Sequence, residues 1–201
     1  MMIRNAIFAI CLALPAAAQV SLEELDTVAD EADAGMTAFR ARLNDPDPDR
    51  ALAVLQTLIT KGDAAQQRLA IRHGLESTDR AIRATTLRAI FDSEPTLRVV
   101  FDPASDEPSA QFANGIIAAG GVVAADGNGS VTFKVNGYNP EEECWTVGRY
   151  KTCLLRNRAD LVSLWFVDSW GTYELDGITG RLIGEQSITR NLTAATIDLS
   201  E

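Results

Sequence analysis

Six large rings and a run of arginines are the side chains in this sequence best suited to recognition. All three tryptophans and all three tyrosines, Tyr138, Trp145, Tyr150, Trp165, Trp170 and Tyr173, fall in one stretch of the C-terminal half. Rings with an apolar body and a polar tip suit a surface that grips a sugar, a peptide or a protein, and they suit the cores of sheets equally. Trp170, in Asp168-Ser-Trp-Gly171, reads as loop-borne and exposed, whereas Trp165 lies in an apolar run and reads as core. The ligand-binding candidates are therefore Trp145, Trp170, Tyr173 and Tyr150. The partner-binding candidates are Arg68, Arg72, Arg80 and Arg83. They belong to residues 50–101, where eight bases outnumber five acids, while residues 19–49 hold nine acids and two bases. Such a ridge either neutralises the acidic segment or meets an acidic partner.

Catalytic constellations are incomplete. Glu141-Glu142-Glu143 would need a facing carboxylate for glycoside cleavage, and neighbours on a strand point to opposite faces. Asp168, Glu174 or Asp176 would have to supply it, and no spacing places one there. Asp126-Gly-Asn128-Gly-Ser130 opens like a calcium loop, but position six is Val131 and position twelve is Gly137, so a plain turn is expected. His73 is the only histidine, which leaves no His-rich zinc site and no Ser-His-Asp triad with a Gly-x-Ser-x-Gly elbow. Phosphate-cradling glycine motifs are absent. The expectation is a protein with no cofactor, no metal and no enzymatic activity.

Residues 21 to about 101 read as the helical elements that would carry the arginines. Ser21 and Glu24 form a capping box. Leu22, Leu25, Ala29, Ala32, Met36, Phe39 and Leu43 then follow at alternating intervals of three and four, a stripe expected to bury against the same chain or, failing that, a partner helix. Asp47-Pro48 opens a second helix ended by Gly62, Asp63 caps a third, and a fourth starts near Ser77 or Thr78. The segment from Leu43 through Asp47-Pro48 to Ile59 aligns with Leu75 to Phe91 at a shift of 32 residues. Over residues 43–92 this resembles HEAT-type helical repeats, with Ile82-Arg83 where that pattern has Val-Arg and Arg50-Ala51 departing from it. The resemblance implies a short helical array, capped by its neighbours because two units cannot cover their own ends.

After Pro103 the pattern changes. Asp102 to Ala110 reads as a linker, and from residue 111 apolar residues alternate between glycine-bearing turns. Val131, Phe133 and Val135 bury one face, and Leu161–Val167 reads as a central strand. The fold class expected is α+β: residues 19–101 helical, residues 111–201 an antiparallel β-sandwich or partial barrel. Placing Gly148-Arg149 in a two-residue type II′ turn sets Cys144 opposite Cys153 on a non-hydrogen-bonded pair, close enough for a disulfide.

The N-terminus supplies the address. Arg4, the apolar run Ala6–Leu14 and Pro15-Ala-Ala-Ala18 read as a cleavable secretory signal over residues 1–18, too short to anchor. The paired cysteines fit export to a periplasm or beyond. A formal charge of −10 argues against nucleic-acid binding. The reading at this level is an exported, non-enzymatic interaction or ligand-binding protein of the cell envelope, without stable membrane insertion. Its alternatives are an enzyme acting on envelope glycan or peptide and an inhibitor or immunity-type protein.

Overall fold

The computed structural model describes residues 20–103, 108–147 and 153–199. The expected signal segment, Tyr150 and the Gly148-Arg149 turn lie outside the described residues. Side chains begin each helix by satisfying its free N–H groups. Ser21 Oγ accepts from Glu24 N–H at 3.1 Å at the start of α1 (Leu22–Leu43). Asp47 caps α2 (Pro48–Lys61), with the proline in the first turn where no N–H is required. Asp63 and Gln66 make a reciprocal capping box at α3 (Ala64–Leu75). Asp79, just beyond the expected Ser77 or Thr78, caps α4 (Arg80–Asp92) by accepting from Ala81 and Ile82 N–H.

The chain divides into two units, Met1–Thr37 and Ala38–Glu201. In the first, the α1 stripe is open to solvent at Leu22 and Leu25, with Val28 exposed beside it. In the second, the stripe ends on buried Leu43. There α2, α3 and α4 pack pairwise against one another. On the C-terminal side α4 is followed by a strand and not by a further helix, so the helices do not extend into an array in that direction.

That strand corrects the expected limit of the helical part. β1 (Thr96–Asp102) buries Leu97, Val99 and Phe101 on alternate positions, a period-two pattern flanked by Pro95 and Pro103. Helix α5 (Ala110–Ala118) follows, where linker and strand were expected. Then come β2 (Val122–Val123), β3 (Gly129–Asn139), β4 (Cys144–Val147), β5 (Cys153–Arg158), β6 (Leu161–Phe166), β7 (Ser169–Asp176), β8 (Arg181–Ile188) and β9 (Asn191–Asp198). The sheet is antiparallel in the order β1-β9-β8-β7-β6-β5-β4-β3-β2, and β1 also pairs with β3 from Thr96↔Lys134 to Phe101↔Gly129. Eight strands thus close into a barrel, with β2 an extra strand on β3. A sandwich is excluded because β1 joins the two ends and leaves no free edge there.

Inward-facing Val99, Phe101, Val162, Leu164, Tyr173 and Ile197 fill the barrel, and Phe101 stacks on Phe166 at 4.8 Å. Helices stop both ends. At one, Phe112 and Ile116 of α5 bury over β3, where Gly129 is required because a Cβ there would lie 2.8 Å from Ile116 Cγ1. At the other, α3 and α4 meet the β5–β6 and β7–β8 turns through Arg83–Asp160 and Leu75 beside Gly180. The buried residues from Leu43 to Leu199 make one continuous core. The change of pattern near residue 103 is therefore a change of secondary structure within one packed body.

Cys144 and Cys153 are disulfide-bonded, with Cα atoms 5.5 Å apart. The pairing register differs from the one expected. Thr146 faces Cys153 and Trp145 faces Leu155, so Leu154 is an extra residue in β5 and the two cysteines are not directly opposed. Among the described residues, no helix is long and apolar enough to cross a membrane.

Candidate functional site

Among the described residues, β4 runs to Val147 and β5 begins at Cys153. β3 is held on the β4 side by β2 at Gly129 and Ser130 and by β4 from Val135 onward. β6 pairs with β5 only from Leu161 to Leu164, so among the described residues Trp165 and Phe166 have β7 alone. Between these two lengths of strand, under the end of α5, lies a cleft of about 850 Å³. Val131, Val147, Leu164 and Phe166 form its buried floor. Phe133, Leu154, Trp165 and Val167 make its walls, and Gly115 and Ala118–Gly120 of the α5 end make its roof. Among the described residues of its lining, Thr132, Lys134 and the Trp165 indole N–H are the polar side-chain groups, and Lys134 is the ionisable one. Concave, mostly apolar, with few polar groups and a volume in the range of roughly 300–1,000 Å³, it has the attributes of a small-molecule site.

The aromatic side chains are distributed differently from expectation. Trp165, expected in the core, is 36% exposed, because its position on β6 faces outward while Leu164 and Phe166 face in. It pairs across strands with Trp170, which is 41% exposed as expected, though on β7 and not in a loop. The two rings meet edge to face at 5.7 Å. The Arg156 guanidinium sits 5.0 Å from the Trp170 ring centre, a cation–π contact, while its buried Nε has no hydrogen-bond partner among the described residues.

Two of the ligand candidates are structural. Trp145 is 1% exposed: its Nε1–H donates to Asp92 Oδ1 at 2.9 Å, and its ring lies 5.3 Å from Phe91 and 4.8 Å from Tyr138. Arg88 stacks on Tyr138 at 4.0 Å and pairs with Asp92, so this cluster pins β3 and β4 to α4. Tyr173 is fully buried, and desolvation raises the pKa of its phenol. Its hydroxyl donates to Gln186 Oε1 at 3.2 Å, while Gln186 Nε2 donates to Ser169 O and Oγ. Neither residue offers a surface to a ligand, because each is an inward position of its strand.

The arginines separate into two pairs. Arg80 and Arg83 both bind the Asp160 carboxylate, at 2.6 and 3.0 Å, and so tie α4 to the β5–β6 turn. Arg83 above all, then Arg80, holds the Asp160 carboxyl below the ordinary range, with burial opposing. Arg68 and Arg72 remain exposed beside a small recess of about 180 Å³ with Glu76 and Thr179.

The carboxylates considered for catalysis are not brought together. Glu141–Glu143 form the β3–β4 turn at the α4 end of the barrel, while Asp168 is in the β6–β7 turn at the α5 end, and Glu174 and Asp176 are on β7, separated from β4 by β5 and β6. Glu142 lies beside Cys144 and Cys153, but both sulfurs are committed to the disulfide and offer no thiolate to a metal. Asp126 caps its own turn, accepting from Asn128 N–H at 3.1 Å and from its side-chain amide at 3.0 Å. Trp165 and the cleft were missed by sequence reasoning. The available signal was the strict alternation Val162, Leu164, Phe166 against Ser163 and Trp165, masked by the apolar character of both faces. No family model, no curated protein and no solved structure matches this chain.

Proposed function

We propose that this is an exported, non-enzymatic binding protein whose ligand seat is the apolar cleft at the α5 end of the barrel. The cleft carries the reading: about 850 Å³ lined almost wholly by apolar side chains, with exposed Trp165 in its wall. The described inward residues elsewhere in the barrel are buried against one another, so the cleft is where a small molecule gains most by leaving water. The disulfide supports a site of action outside the cytosol, in a periplasm or beyond. The equal cap spacing, Asp47 and Asp79 at the 32-residue shift, supports treating α2 and α4 as related HEAT-like units, of which α4 packs on β3 and β5.

Nile red, a neutral apolar dye, tests this. One molecule per chain is expected to bind saturably with a blue shift. Ala118→Trp, at an exposed position on the cleft roof, is expected to block it without unfolding the protein. Absence of saturable binding, or binding that Ala118→Trp leaves unchanged, overturns the assignment.

A second reading rests on Arg68 and Arg72, one turn apart and exposed: an acidic protein partner docks on α3. It requires association that weakens steeply with salt and is lost in an Arg68→Glu, Arg72→Glu variant.

A further inference from the structure

The lining of the cleft specifies more than a preference for apolar molecules. Resting on the ligand-seat reading above, we propose that its occupant is a single-chain anionic amphiphile of the fatty-acid class, with the hydrocarbon chain in the cleft and the carboxylate at Lys134. The floor side chains Val131, Val147, Leu164 and Phe166 are apolar and offer no hydrogen-bond partner, so a polar body laid against them would lose hydration there. A flexible alkyl chain has no such loss, and each methylene buried is worth roughly a fourfold gain in affinity.

Charge decides the other end. Among the described residues of the lining, Lys134 is the ionisable side chain. Its nearest carboxylate is Glu94, with Nζ and Oε2 3.9 Å apart and the side chains 59% and 47% exposed. A pair that long and that wet is weak, so an incoming carboxylate can compete for the ammonium. The chain as a whole carries −10, which repels anions and attracts cations. A preference for an anionic over a cationic amphiphile must therefore come from the site itself.

The experiment titrates the oxidised full chain with dodecanoate and with dodecyltrimethylammonium, both below their micellar range, by calorimetry and tryptophan fluorescence. One dodecanoate per chain is expected, bound roughly tenfold tighter than the cation. Decanoate, two methylenes shorter, is expected to bind roughly fifteenfold more weakly than dodecanoate. Lys134→Gln is expected to abolish the anion preference, Lys134→Arg to keep it, and Glu94→Gln to strengthen it. Equal or tighter binding of the cation by the unaltered protein, or an anion preference that survives Lys134→Gln, overturns the proposal. If that happens while Nile red still binds and Ala118→Trp still blocks it, the ligand seat stands and its occupant is of another class. If neither amphiphile nor the dye saturates, both readings fall together.

Discussion

Trp145 and Asp160 show how single side chains join the helices to the barrel. Trp145 is buried against Phe91 and Tyr138, and its Nε1–H has found the Asp92 carboxylate. Trp145→Ala removes the ring contacts and leaves a cavity, so a loss of about 3–5 kcal/mol is expected in urea unfolding. Asp160 joins Arg83 and Arg80. Its carboxyl is held below its unfolded value, so the stability it contributes is complete above ordinary carboxylate pKa values and is lost as pH falls through the folded value. Asp160→Asn is expected to cost about 1 kcal/mol near neutrality. The difference between variant and parent should shrink as pH falls below the ordinary carboxylate range; a difference that grows on acidification contradicts the assignment. Inside the barrel, Tyr173→Phe leaves Gln186 Oε1 without its donor and is expected to cost about 1–2 kcal/mol.

At the scale of elements, the helices were legible because their signals are local. Asp47-Pro48, Asp63 and the Gly62 stop each act within one turn, and each is used as expected. The strand β1 was not legible for the opposite reason. Thr96–Asp102 is short and takes its meaning from partners far away in sequence, β3 and β9. The disulfide was legible from cysteine parity and spacing, but its register was not, because the extra residue Leu154 shifts β5 by a bulge. The bridge spans a sequence separation of 9. Its removal in a Cys144→Ser, Cys153→Ser variant is expected to cost about 2–3 kcal/mol, read as a lowered urea midpoint. An unchanged midpoint would mean that the β4–β5 connection is held by its packing alone.

For the whole molecule, the consequence of closure is economy of exposed edges: β1 seals the sheet, and helices stop both ends. The apolar cleft lies between β3 and β6, beyond the described pairings of β4 and β5. Trp145 and Trp165 exchanged the places expected of them because apolar content does not reveal facing: both strands are rich in large residues, and only the closed barrel decides which side is inside. Trp165 and Trp170 consequently stand outside, with Trp165 at the cleft wall. The most direct test is an amide chemical-shift map of the oxidised protein titrated with dodecanoate. Perturbations are predicted to cluster at Ala118–Gly120, Val131–Lys134 and Leu164–Val167, saturating at one equivalent; a map that is silent there, or centred on Arg68 and Arg72, contradicts the account.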